Sequence, residues 1–299
     1  MAKAASRVLP WSASPRFARA NESAIRVLTD PDTELLRELV DRDPIANVFM
    51  ASQLEHYGSA VPGLLGVQTI GYFDDAGQLL AACWVGSNVI PIEMSAELAP
   101  HFGEYLSALG RKHASIYGPA DAVLGIFQRM HSNGARAAEV RACQPLMAID
   151  QDSQLSATPE LRVSEMADFD RILPAAAAMF EEEVGYSPYS AGEDFYRRRV
   201  ASLIRQGHSF SHLDGAGEVI FKADLGAVSQ AVSQVQGVWL RPELRGRGLS
   251  HGYMAAVVRL ARRLTPTVSL YVNDYNRRAY ASYQKVGFKR VGTFATVLF

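Results

Sequence analysis

From residue 161 onward the apolar positions change period several times. LRVSEM (161–166) alternates like a short strand, whereas FDRILPAAAAMFEEEVG (169–185) and EDFYRRRVASLIRQG (193–207) repeat at about 3.6 residues and predict helices. SFSHLDGAGEVIFKADLG alternates on either side of the turn-forming DGAG, a hairpin signal. VSQVQGVWL predicts a strand, HGYMAAVVRLARRL a helix, VSLYVN a buried strand, NRRAYASYQKVGF a helix that stops at Gly287, and FKRVGTFATVLF a closing strand.

The first half keeps nearly the same rhythm. AIRVL is a strand, PDTELLRELVDR and PIANVFMASQLEHYG are helical, and GVQTIGYFDDAGQLLAACWVG is a hairpin about DDAG. NVIPIE, ASIYGP and CQPLMAID are strands, with ELAPHFGEYLSALG and ADAVLGIFQRMH as the helices between them. The shared order predicts a divergent internal duplication and an α/β fold of the α+β kind, with a mixed sheet. The polar run QDSQLSATPE places a linker at 151–160, which separates a domain at 21–150 from one at 161–299. Residues 1–20 read as a disordered tail.

Composition narrows the class without naming the chemistry. The chain has 299 residues, 48% hydrophobic and 20% charged, with a formal net charge of −1 and an isoelectric point near 6.7. No global positive field exists to hold nucleic acid or an anionic membrane. The N-terminal segment has no apolar run of signal-peptide length, and no later run approaches the ~20 residues of a membrane span. Cys83 and Cys143 stand alone in apolar surroundings, without metal-ligand spacing, and read as reduced core residues. A cytoplasmic protein without a metal is the expectation.

The stretch PELRGRGLSHGY (242–253) alternates two glycines with two arginines just before a helix. A helix start presents unpaired N–H groups and roughly half a positive charge, which favours phosphate. Gly246 and Gly248 leave the backbone bare and permit positive φ, and Arg245 and Arg247 can fork onto phosphate oxygens. Neither G-x-x-x-x-G-K-[ST] nor G-x-G-x-x-G is present. By itself the loop is also readable as a solvated glycine turn.

Its context resembles the acetyl-CoA site of the GNAT superfamily of N-acyltransferases. VSQVQGVWL, RPELRGRGLS, the helix after it, VSLYVN and NRRAYASYQKVGF carry the likeness in order over 161–299. Arg245, Gly248 and Ser250 fall on the three positions of [Q/R]-x-x-G-x-[G/A]. Serine departs from the last, but it is small and a competent helix cap. DPIANVFMASQLE, GPADAVLGIF, AMFEEEVG and VQGVWLRPELRGRG resemble an actinobacterial subfamily with an additional N-terminal domain of unassigned role.

The resemblance implies that acetyl-CoA is the acyl donor and that Arg245, Gly246, Arg247, Gly248, Leu249 and Ser250 hold its pyrophosphate. It also implies that the fourth strand splays from the fifth, so that the backbone of Val238, Trp239 and Leu240 pairs with the pantetheine arm. An amide near Gly237 or Val238 would then face the thioester carbonyl. Tyr283 falls where many family members hold a tyrosine near the sulfur; its phenol, with an ordinary pKa near ~10, suits protonation of a departing thiolate. It also reads as core packing beside Tyr280. Asn276 caps its helix and contacts the coenzyme arm, or only caps.

The general base has no single bearer. The fourth strand offers Gln234 and Gln236, which cannot hold a proton. Glu181, Glu182 and Glu183 close the first helix of the second half, with Glu182 and Glu183 carried forward as bases; such clusters also occur as solvated faces. Asp224 and His251 are weaker choices, and water is a further route. In the first half, the segment after NVIPIE reads MSAELAPHFGEYL, without a glycine pair or arginine, so this domain is expected to be a degenerate GNAT-like copy that does not cradle the coenzyme. The expected activity is acetyl transfer to an amine, on a small molecule, peptide or protein, by direct attack in a ternary complex. Competing readings are a tandem transferase with another acyl or aminoacyl donor, like mycothiol synthase, and a non-catalytic acyl-CoA sensor.

Overall fold

The computed structural model describes residues 24–299, so the tail expected over 1–20 lies outside the described residues. The first half runs β1 (Ile25–Val27), α1 (Thr33–Val40), α2 (Val48–Tyr57), β2 (Gln68–Phe73), β3 (Leu79–Val85), β4 (Asn88–Ile92), α3 (Ala99–Ala108), β5 (Ser115–Pro119), α4 (Ala120–Ser132) and β6 (Glu139–Ile149). The second runs β7 (Arg162–Val163), α5 (Phe169–Val184), α6 (Glu193–Arg205), β8 (Ser209–Leu213), β9 (Val219–Val228), β10 (Val232–Leu240), α7 (Leu249–Ala261), β11 (Thr267–Tyr271), α8 (Arg277–Val286) and β12 (Lys289–Leu298). The two orders are identical, as the periodicity predicts.

Local chemistry repeats with the order. Arg26 on β1 pairs with Asp32 at 2.7 Å, and Arg162 on β7 pairs with Asp168 at 2.8 Å. Both aspartates close a capping box ahead of a helix. In the hairpin turns, Asp74 Oδ1 accepts from the N–H of Ala76 and Gln78, and Asp214 Oδ1 from Ala216 and Glu218. Equivalent side chains thus fold equivalent turns in the two halves, which supports the duplication beyond element order.

The halves are not side by side. One twelve-stranded sheet runs β1-β2-β3-β4-β5-β12-β6-β11-β10-β9-β8-β7, a palindrome in which each half lends its last strand to the other. β12 pairs with β5 (Thr296 opposite Tyr117), and β6 pairs with β11 (Met147 opposite Leu270). Met147 and Ile149 accordingly enter the core under α7 and α8, while Ala295 and Val297 enter the core under α3 and α4. Burying a large apolar side chain contributes roughly 1.5–3 kcal/mol, so each half completes its core with side chains from the other's last strand.

Alternation along the strands sorts the helices. Ala81, Cys83 and Val85 of β3 face α3 and α4, while Leu79, Ala82 and Trp84 face α1 and α2. Tyr271 and Phe294 meet at 5.3 Å between centroids on the face opposite Leu270 and Ala295. One face therefore carries α1, α2, α5 and α6, and the other carries α3, α4, α7 and α8. The 151–160 segment is not a free linker: Leu155 and Ala157 pack on the second core, and the Thr158 N–H donates to the Gly252 carbonyl at 2.9 Å. A Cβ on Gly252 would lie 2.7 Å from Thr158 Oγ1, so that glycine lets the segment cross α7. Cys83 is buried, and burial pushes its thiol up; Cys143 on β6 is only partly buried, because its end of the strand leaves the core. Among the described residues no helix is long and apolar enough to cross a membrane.

Candidate active site

The loop before α7 has the backbone its glycines predict. Gly246 and Gly248 adopt φ of 78° and 76°, a left-handed conformation that costs glycine little. A Cβ at Gly246 would meet nothing within 4 Å, and at Gly248 only His251 Nδ1 at 3.9 Å, so the space before both is open. Gly248 is the N-cap and offers no side chain to the first turn. Ser250 does not cap either; its hydroxyl meets Ser282 of α8 at 3.2 Å. Arg247 and Leu249 are exposed. Arg245 is turned away from the loop: its Nη2 meets Glu182 Oε2 at 2.9 Å, and its Nε donates to the Leu240 carbonyl at 2.8 Å.

Beside this loop the sheet opens. β10 and β11 pair in parallel through Val232, Ser233 and Gln234, and the register ends there. Val238 and Leu240 pack toward α7, whereas Trp239 turns to the opposite face among α5 and α6 residues. The register with β9 shifts between Gln236 and Trp239, where Gly237 takes φ of 60°. Val238 therefore stands outside the ladder with β9. Underneath lies a pair that reading the sequence missed: Lys222 Nζ, with no exposure, sits 2.6 Å from Asp224 Oδ2 and 3.1 Å from the Gly237 carbonyl oxygen. Lys222 and Asp224 are two apart on β9, the spacing that puts both on one face.

The acidic cluster divides because successive helical residues point about 100° apart. Glu182 accepts from Arg245 and from Trp239 Nε1 at 3.3 Å, so it faces the phosphate loop. Glu183 lies within electrostatic reach of Arg141 and Lys222. It is exposed by surface area, yet protein atoms crowd around its carboxylate, and that desolvation raises its pKa despite the opposing charges of those two cations. Arg141, on β6, donates from Nη2 to the Glu183 backbone carbonyl at 2.8 Å.

Tyr283 lies on α8 within electrostatic reach of Glu183, and burial together with that carboxylate raises its pKa. No hydrogen bond engages its hydroxyl among the described residues, although its ring packs on Phe288. Tyr271 on β11 is pushed up to about 12, first by burial and then by Glu183. Asn276 is an ordinary N-cap, its Oδ1 accepting from the Ala279 N–H at 3.2 Å. Asp224 is committed to Lys222, and the Gln236 side chain lies over Gly226.

The corresponding place in the first half lacks the bare loop. The amides of Leu98 and Ala99 donate to the Ser95 carbonyl, and Pro100 removes another donor from the first turn of α3. The parallel register of β4 with β5 ends after Asn88 and Val89, and the Pro91 ring lies beyond it, 3.3 Å from where a Cβ on Gly118 would stand. The paired left-handed glycines that precede α7 have no counterpart before α3.

Residues 176–288 match the model of the acetyltransferase (GNAT) family. The match falls within the second half, around the loop and helices that frame the candidate site. Residues 68–172 match a model described as a domain of unknown function, DUF4081, which ends inside α5. A GNAT-family acetyltransferase from Colwellia psychrerythraea has a TM-score of 0.57 at 13% identity, over 92% of this chain and 99% of its own. A GCN5-related N-acetyltransferase from Sphaerobacter thermophilus gives 0.60 at 17%, over 91% and 94%. A tandem GNAT protein from the clavulanic acid biosynthesis pathway gives 0.52 at 12%, over 91% and 97%. The likeness is one of fold and extends over both halves. No curated protein matches this chain in sequence.

Proposed function

We propose that the chain transfers an acetyl group from acetyl-CoA to an amine by direct attack in a ternary complex, with the chemistry in its second half. The GNAT-family match supports acyl transfer in general. The observation that carries the donor is the pair of left-handed glycines with open space before them, at the start of α7 and beside the opening of β10 from β11. Backbone N–H groups from Gly246 to Ser250 would take the pyrophosphate, with Arg247 and a released Arg245 adding charge. The substrate supplies an activated acyl carbon as its thioester.

The protein's own groups meet the remaining needs. The Val238 amide, turned out of the ladder, is the donor for the acyl carbonyl oxygen. Glu183 is the base: burial raises its pKa and so makes its carboxylate a stronger proton acceptor for an ammonium substrate. Tyr283, kept protonated by its surroundings, is the acid for the departing thiolate. Glu182 serves Arg245 instead. A screen of amine acceptors with detection of free CoA tests the reading, run with Tyr283→Phe. Turnover that falls on substitution while donor affinity holds supports it; no turnover with any amine, despite tight donor binding, favours an acyl-CoA sensor.

A further inference from the structure

At the β10 bulge the Gly237 carbonyl accepts a hydrogen bond from the buried Lys222 ammonium at 3.1 Å. A peptide unit is planar and trans, so the Gly237 carbonyl and the Val238 N–H point in opposite directions. Fixing the carbonyl on Lys222 fixes the N–H away from it. A cation on the oxygen of an amide also draws electron density from its nitrogen and strengthens the N–H as a donor, most effectively where water is excluded. Lys222 has no exposure, and a Cβ at Gly237 would fall 3.1 Å from Asp224 Oδ2, 3.1 Å from Met179 Cε and 3.3 Å from Lys222 Nζ. The bulge, the glycine and the ion pair form one packed unit.

We propose that Lys222, held by Asp224, is a positioning residue that orients and polarises the 237–238 peptide as the donor to the acyl carbonyl. This rests on the acyl transfer proposed above. A buried lysine is otherwise a poor choice for a strand, since desolvating both charges costs more than an apolar pair of equal size.

The test is infrared difference spectroscopy of acetyl-CoA carrying ¹³C at the acetyl carbonyl, which needs no acceptor. The wild type is expected to lower the carbonyl stretch on binding. The double variant Lys222→Met with Asp224→Asn, which strands no charge, should bind the donor within about threefold but lose most of that shift, and should lower kcat about 10- to 100-fold with any working amine. Lys222→Gln keeps a neutral donor and should give a smaller loss of shift, and it carries the test if the double variant does not fold. A folded variant with the wild-type shift and kcat overturns the role of Lys222. A wild type that binds the donor without a shift overturns it equally, whereas a wild type that does not bind at all refutes the underlying acyl transfer.

Discussion

Arg141 Nη2 donates to the backbone carbonyl of Glu183 at 2.8 Å, so a strand counted with the first half closes the C-terminus of the first helix of the second. The same guanidinium is anchored by Glu139 at 2.9 and 3.0 Å. Position and charge both matter here, because a cation at a helix end meets the negative end of its dipole. Arg141 also pulls the Glu183 pKa down against its burial. Arg141→Ala is therefore expected to raise that pKa further, moving the acid limb of the kcat profile to higher pH. A limb that stays in place would separate Glu183 from this cation.

Glu183 acts as a base only when ionised. Its pKa is raised, so activity is full above that value and is lost as pH falls through it, at a higher pH than for an ordinary glutamate. Glu183→Gln should lower kcat about 10²- to 10⁴-fold and flatten the acid limb. Unchanged kcat would assign the proton to water or another group.

Glu182 competes with the donor for Arg245. Exposed ion pairs of this kind are worth about 0.2–1 kcal/mol. Glu182→Gln should therefore tighten acetyl-CoA binding by roughly 1.4- to 5-fold and leave kcat nearly unchanged. Calorimetry at two salt concentrations checks this; a large fall in kcat would restore Glu182 as a base.

The exchange of β6 and β12 predicts that residues 151–299 alone do not fold to a native core. Without β6, the edge of β11 and the core under α7 lose Met147 and Ile149. The fragment should show no cooperative thermal transition, whereas co-expression with residues 21–150 should restore one. A cooperative transition in the fragment alone would make the exchange dispensable.

The order of elements was legible because the period of apolar residues is local. The strand exchange was not, because CQPLMAID has the same pattern whether it pairs with β5 or with β11. The glycine loop was legible from composition at a helix start, and the lack of such a loop in the first half from the absence of a glycine pair and arginine after β4. Glu182 and Glu183 could not be separated, since their roles depend on how α5 rotates over the sheet. Asp224 was weighed only as a weak base and Lys222 was given no role, because the alternation of a strand does not tell which of its faces a helix covers and buries. Arg141 lay outside the predicted strand, which begins at Glu139 instead.

The claim on which the rest depends is that bare amides at Gly246 and Gly248 hold the diphosphate of acetyl-CoA. Calorimetric titration of acetyl-CoA into the wild type and into Gly246→Val with Gly248→Val tests it most directly, with circular dichroism to confirm that the variant is folded. The wild type should bind and the variant should bind at least about 100-fold more weakly, as several charge-assisted hydrogen bonds are lost. Undiminished affinity in a folded variant would contradict the site.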